Sequence, residues 1–346
     1  MSGATTGFVV GKFYPLHAGH LALLSALATE VDEVTVCVLA SVVESIPLQT
    51  RVRWVAESVP GATVIGGYDE SPMGDEDGSW AAHLAAMTAA GAASRYDVVA
   101  TGDWYGPGLA ERLGARLLAW DPSRAVLPVS GSELRADPDS RWWLLPAAIR
   151  SDLVRRGGRG GGGGERRDPH AAESTGTTTL ARDLAGALGT VWVPEYGRAY
   201  SAAKGPMASW VWDSAEFEVI AREQAALEDA AARLSGPVLV CDTDPLATVI
   251  WHAFYAGGSS ARLDRFAATR CPDLYLLTTP DGVRWEDDGL RDSPDGREAM
   301  TEQFRAVVRE SGVTCVELGG SRDDRLAVAL AAVRSIPRLS FAPPIG

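Results

Sequence analysis

Short β-branched runs alternate with helix-length segments along the first 120 residues and again from residue 172, and this alternation restricts the fold more than any other feature of the chain. A strand, a helix and a second strand return the chain parallel to itself, so the repeated pattern builds a parallel sheet covered by helices on both faces. In the first half, runs at 7–10 and 34–39 flank a helical 21–30, and runs at 98–101 and 117–120 flank a helical 107–113. In the second half, a helix at 179–188 carries Leu180, Leu184 and Leu188 on one face. Strands at 190–193, 237–241, 273–277 and 313–318 follow, with helices at 214–232 and 325–336. The expected fold class is therefore α/β in two domains, consistent with 346 residues against a usual domain of about 100–200. The expected boundaries are 1–150, a Gly/Arg-rich linker or corrupted first strand at 151–170, and 171–338.

A net charge of −13 repels nucleic acid and anionic membranes over the surface as a whole, so a phosphate site must be a local device built from a few cations and backbone N–H groups. No nucleic-acid or membrane partner is expected. The four cysteines show no Cys-x-x-Cys pair, which favours free thiols in a reducing compartment, three of them buried in apolar runs, over disulfides or zinc. With no basic leader or long apolar stretch at the start, a cytoplasmic location is expected.

Gly11-Lys12-Phe13-Tyr14-Pro15-Leu16-His17-Ala18-Gly19-His20 joins the first expected strand to the first helix. Such a junction aims unpaired N–H groups at one spot, where the helix dipole favours an anion. Gly11 and Gly19 let the backbone pass close to phosphates, and His17 and His20 face one side of a first helical turn. Two of only five histidines fall in this loop. The stretch resembles the Gly-x-Phe-x-Pro-x-His-x-Gly-His signature of the nucleotidyltransferase superfamily at every fixed position. Val129-Ser130-Gly131-Ser132-Glu133-Leu134-Arg135 resembles that superfamily's Ile-Ser-Gly-Thr-x-x-Arg element, although Ser130 or Ser132 would also serve as an ordinary helix cap. The resemblance implies a Rossmann-like fold in which Gly11, Lys12, Phe13, Gly19, Ser130 and Ser132 hold ATP. His17, His20, Lys12 and Arg135 would stabilise charge as pyrophosphate leaves, with Mg²⁺ bridging phosphates.

Thr101-Gly102-Asp103-Trp104-Tyr105-Gly106 resembles the Ser-Ser-Glu-x-Tyr-Gly stretch of NadR-type enzymes, and residues 46–54 resemble their region after the second strand. This implies nicotinamide mononucleotide as the adenylyl acceptor, bound by Trp104, Tyr105 and Arg51. Trp104 either stacks on the cationic ring or packs in a core. An acceptor such as phosphopantetheine fits these segments less well.

Glu173-Ser174-Thr175-Gly176-Thr177-Thr178-Thr179-Leu180 and Pro194-Glu195-Tyr196-Gly197-Arg198 resemble the ribosylnicotinamide kinase half of the same family. The resemblance implies a P-loop kinase-like α/β fold in which Ser174, Thr175, Gly176, Thr177, Thr178 and Thr179 bind ATP. It also implies that Thr178 and Asp242 hold Mg²⁺, that Glu195 orients or deprotonates the riboside 5′-hydroxyl, and that Arg291 in a lid contacts phosphate. Asp242 ends the apolar run 238–241 in the manner of a Walker B carboxylate, although a carboxylate there also caps helices. In a P-loop of the form G-x-x-x-x-G-K-[ST], Ala171 stands at the first glycine and Thr177 at the lysine. The chain's two lysines are Lys12 and Lys204, so the loop lacks its usual point charge unless Lys204 or an arginine supplies one from elsewhere.

A buried strand of the Val-Val-Val-Val-Gly type should precede such a loop, but residues 155–170 read RRGGRGGGGGERRDPH. Valine codons GTG read out of phase spell GGT, glycine, so residues 157–170 read as a locally frame-shifted strand. With these residues in place, the sheet's central strand is expected to be missing and the kinase weak. The reading is an NAD-synthesising enzyme acting on ATP, nicotinamide mononucleotide and nicotinamide riboside, with homo-oligomerisation left open. The alternative keeps the transferase and makes the second half a regulatory nucleotide-binding module. The longer NadR members carry an N-terminal DNA-reading domain, whereas here the first expected strand begins at Gly7, so gene repression is not expected.

Overall fold

The computed structural model describes residues 3–71, 77–155, 165–171, 175–204, 211–283, 297–336 and 341. The chain forms two compact units, Met1–Ile149 with Ser340–Gly346, and Arg150–Leu339. In chain order the elements are β1 (Thr6–Gly11), α1 (Ala18–Ala28), β2 (Glu33–Ala40), α2 (Leu48–Ser58), β3 (Thr63–Tyr68), α3 (Asp77–Ala89), β4 (Val98–Thr101), α4 (Gly106–Arg112), β5 (Arg116–Ala119), α5 (Gly131–Ala136) and α6 (Ala147–Arg155). They continue with β6 (Glu165–Ala171), α7 (Thr177–Leu188), β7 (Trp192–Val193), α8 (Tyr196–Lys204), α9 (Ser214–Ala232), β8 (Val238–Cys241), α10 (Pro245–His252), α11 (Ala261–Ala268), β9 (Leu274–Thr278), α12 (Arg297–Glu310), β10 (Thr314–Leu318) and α13 (Arg322–Ser335). Among the described residues no helix is long and apolar enough to cross a membrane.

The first sheet is parallel throughout, in the order β3-β2-β1-β4-β5. Phe8, Val36, Cys37, Val38 and Val99 are fully buried, as expected of strands covered on both faces. Phe8 stacks on Tyr96 with centroids 4.5 Å apart, in a cluster completed by Trp80, Met87 and Leu109. Burying side chains of this size contributes about 1.5–3 kcal/mol each. Strand order reverses at β1, with β2 on one side and β4 on the other, so the loops after β1 and β4 part and leave a crevice at their carboxyl ends. Strand β3, whose two glycines blur the apolar pattern, is an element the sequence reading missed.

The second sheet is also parallel, in the order β10-β9-β6-β8-β7. Leu276 and Leu277 on β9 join separate clusters, one with α7 and α13 and the other with α10 and α12, so both faces are covered. The expected absence of a central strand is corrected here: Glu165–Ala171 occupies that place, Arg167 opposite Val240 on one side and Leu274 on the other. Backbone pairing from both neighbours holds this polar segment in line, because an open gap would leave the facing edges of β8 and β9 without partners. None of the four cysteines is in a disulfide. Cys37 and Cys241 are buried as expected, but Cys315, on edge strand β10, is exposed.

Candidate functional site

The Gly11–His20 loop leaves β1 and enters α1 at the crevice between β1 and β4. His17 is the N-cap of α1, and its backbone N–H donates to His20 Nδ1 at 3.3 Å. That bond makes Nδ1 the acceptor and leaves the proton of neutral His20 on Nε2, a donor suited to a phosphate oxygen. The two imidazoles lie 3.8 Å apart, centroid to centroid, and His17 Nδ1 is buried with no hydrogen-bond partner. A buried imidazole nitrogen without a partner beside a cavity is a group that a ligand can satisfy. A Cβ on Gly19 would come within 3.1 Å of both the His17 ring and Val129, so only glycine lets α1 start this close to the 129–135 segment.

The cavity has a volume of about 460 Å³, a size usual for small-molecule sites. Its cations are Lys12, Arg124 and Arg135. Arg135 donates to the Tyr14 carbonyl at 2.6 Å and to Ser132 Oγ at 3.1 Å, and its guanidinium lies 5.1 Å from the Tyr14 ring. Ser130 both lines the cavity and caps α5, accepting from the Glu133 N–H at 3.2 Å, so the two readings of this serine are compatible. Lys12 Nζ sits 3.4 Å from Glu44. Burial, with Arg124 and Arg135 nearby, pulls the His17 pKa from 6.5 down to about 4. His20 is lowered too, by burial, His17 and Arg124. Both rings are thus neutral near pH 7, and the formal positive charge at the cavity comes from Lys12, Arg124 and Arg135.

Above pH 6.5, His17 is neutral whether the chain is folded or unfolded. As pH falls toward 4, the unfolded chain takes up a proton that the folded one refuses, so the folded state should lose about 3 kcal/mol between pH 7 and pH 4 from this group. Denaturant unfolding at both pH values checks this: His17→Asn should lose about 3 kcal/mol less than the parent. Equal acid losses in the two proteins would remove His17 burial as the cause.

Gly11, Lys12, Phe13, Gly19, Trp104 and Tyr105 line the same cavity. Trp104 is 61 % exposed, so the core alternative for it fails. Tyr105, its hydroxyl donating to the Val10 carbonyl at 3.3 Å, has a pKa pushed up to about 12 by burial. Arg51 is a correction: it does not line the cavity. Its guanidinium is fully buried, 2.6 Å from Glu44, donating to the Ile46 and Lys12 carbonyls and lying 4.4 Å from the Tyr14 ring. It braces the loop that carries Lys12. Asp69, Glu70, Trp80, His83 and Arg124 also line the cavity, from outside both signatures, where no sequence motif marks them. His83 Nδ1 lies 2.6 Å from Asp69 Oδ2, and this bond holds the Asp69 carboxyl below its usual range against the opposing effect of burial.

In the second unit, Gly176 has φ +84°, a left-handed conformation that suits glycine, and it N-caps α7. Thr177, Thr178 and Thr179 form the first turn, where unpaired N–H groups gather. Thr178 Oγ1 donates to Asp242 Oδ2 at 2.6 Å, while Thr175 Oγ1 and Thr278 Oγ1 lie 2.8 Å apart and buried. Asp244 accepts from the Leu246 and Ala247 N–H groups and from the Tyr275 hydroxyl. The two carboxylates therefore divide the roles left open by the sequence, Asp244 capping α10 and Asp242 facing the loop. A hydroxyl and a carboxylate oxygen are hard donors that suit Mg²⁺. Glu195 lies between β7 and α8 at the same sheet edge, where Gln224 accepts from the Tyr196 N–H at 2.9 Å and donates to the Thr243 carbonyl at 3.1 Å. Beside them Trp212 has Tyr255 at 5.8 Å and Tyr200 at 6.2 Å, an aromatic group assembled from distant segments. Lys204 is engaged there, paired with Glu216 and 4.6 Å from the Trp212 ring. Ser174 and Arg291 lie outside the described residues.

The chain is 24% identical over 337 residues to the trifunctional NAD biosynthesis/regulator protein NadR of Salmonella typhimurium, covering 90% of this chain and 78% of that one. Against the Escherichia coli NadR the identity is 25% over 310 residues, covering 83% and 72%. The chain is thus similar to NadR over most of its length. Solved NadR structures share its fold: one in complex with NR superimposes with a TM-score of 0.73 at 20% identity, and one with NAD and AMP-PNP with 0.71 at 18%. These alignments cover 98% of this chain and 99% of each NadR chain. An AAA domain family matches residues 172–325, from the phosphate loop to the first turn of α13.

Proposed function

We propose that this chain makes NAD, the first unit transferring the adenylyl group of ATP to nicotinamide mononucleotide and the second phosphorylating nicotinamide riboside with a further ATP. The observation that carries the reading is the pair of neutral imidazoles, one with a buried nitrogen lacking a partner, set among Lys12, Arg124 and Arg135 at the strand-order reversal. A phosphate oxygen of the mononucleotide attacks the α-phosphorus of ATP, and pyrophosphate departs with the bond electrons. Neither step needs a general base, because the nucleophile is already ionised and the leaving group is stable. His20 Nε2–H and Arg135 hold the leaving oxygens, and preorganised donors of this kind usually supply the largest part of such an acceleration. Trp104, exposed at the cavity rim, offers a face to the cationic nicotinamide ring. Bound Mg²⁺ would neutralise part of the triphosphate charge in both units, and in the second Thr178 and Asp242 would hold it.

In the second unit the α7 N-terminus receives the phosphates. Glu195 orients the riboside 5′-hydroxyl and accepts its proton as the oxygen attacks the γ-phosphorus and ADP leaves. The Trp212, Tyr200 and Tyr255 rings favour a cationic pyridinium over a neutral base. The family resemblance and the NadR relatives, described as acting in NAD biosynthesis, support the same chemistry. Purified protein should form NAD and pyrophosphate from ATP and the mononucleotide, and from ATP and the riboside it should form ADP and the mononucleotide, which the first unit carries on to NAD. Chromatography of the two mixtures checks both halves. No NAD in the first rejects the transferase, and no ADP in the second leaves that unit a nucleotide-binding module.

A further inference from the structure

The phosphate loop carries Thr177 where a P-loop has its lysine, and Lys204 is held at the Trp212 ring. Beneath the loop stands Arg325, in the first turn of α13 and 4 % exposed. Its Nη1 donates to the Thr175 carbonyl at 2.6 Å. Nε donates to the Gly320 carbonyl and Nη2 to the Thr279 carbonyl, each at 3.0 Å, and Nη2 also donates to the Asp281 carbonyl. One guanidinium thus binds the phosphate loop, the turn after β9 and the turn after β10.

We propose that Arg325 replaces the absent loop lysine from the underside, as a positioning residue that aims and polarises the Thr175–Gly176 peptide toward the phosphates of a nucleoside triphosphate. The C=O and N–H of a trans peptide point in opposite directions. A guanidinium gripping the Thr175 oxygen from below therefore turns the Gly176 N–H away from itself, and drawing electron density to that oxygen makes the N–H a stronger donor. Gly176 at φ +84° permits the turn that brings the following α7 N–H groups to the same side. A lysine would touch the phosphates directly, whereas Arg325 acts through the backbone, so its loss weakens ATP binding in this unit alone.

The proposal rests on the phosphate-site reading of the second unit, and the test separates the two. Arg325→Met should raise the KM for ATP in riboside phosphorylation about tenfold or more, the size expected for a charge-assisted hydrogen bond, with the KM for riboside and the rate of adenylyl transfer unchanged. Thr177→Lys added to Arg325→Met should recover most of that loss, which a merely structural role would not allow. In the parent, Thr177→Lys should improve the KM for ATP less than about threefold, because Arg325 already serves. This last comparison stands even if Arg325→Met does not fold, and an improvement in the parent of about tenfold or more overturns the proposal. So does a full ATP response in Arg325→Met, or a loss that Thr177→Lys leaves untouched. Absence of any ATP-dependent rise in the parent's second-unit melting midpoint would instead overturn the phosphate site itself.

Discussion

Replacing His20 with alanine should lower kcat for NAD formation by about 10²–10³ while leaving the fold intact, the usual loss when one preorganised donor to a developing oxyanion is removed. The effect should fall on kcat more than on KM, because a neutral imidazole adds no net charge to attract ATP in the ground state and gains strength as charge moves onto the leaving oxygens. Burial, His17 and Arg124 hold His20 neutral in the free protein. Steady-state kinetics with both substrates varied, together with circular dichroism of the variant, give the measurement. A folded variant with undiminished turnover would remove His20 from the mechanism.

The second large effect is expected at β6. Glu165–Ala171 lies between β8 and β9, in a sheet with helices on both faces, yet it carries two arginines, an aspartate and Pro169. Proline has no N–H for the ladder, and central strands of covered parallel sheets are normally continuous apolar runs. Changing Arg167, Asp168, Pro169 and His170 together to valine should stabilise the second unit by about 3 kcal/mol or more. For a unit of this size that raises the melting midpoint by roughly 6–12 °C. Calorimetry checks it, and an unchanged or lower midpoint would show that the polar strand is satisfied as it stands. The frame-shift reading of 157–170 predicts that resequencing the gene will return codons for such an apolar run, which would explain why so polar a segment lies in a central strand.

Much of the first site was legible because its chemistry is local. Gly11 to His20 is one strand-loop-helix junction, and its groups converge because consecutive residues must turn from β1 into α1. Arg135 was legible through its spacing from Ser130 and Ser132 within one short turn. Arg51 was misread because the same composition, an arginine near the carboxyl end of a strand, serves equally for a substrate contact or a buried brace. The choice depends on Glu44 folding back beneath it. Asp69, Trp80, His83 and Arg124 carried no signal, since their meeting depends on the placement of β3, α3 and the loop before α5.

The sequence alone determined the α/β class, the parallel sheets and the two glycine-bearing strand-loop-helix junctions, because strand and helix periodicity and loop chemistry are written in neighbouring residues. Tertiary structure alone decided that Asp242 meets Thr178 while Asp244 caps α10, that Trp212 meets Tyr200 and Tyr255, and that Arg325 lies under the loop lacking its lysine. Those choices depend on strand order and on which side chains lose water together, and contacts between residues as far apart as Thr175 and Arg325 leave no periodic trace in the chain.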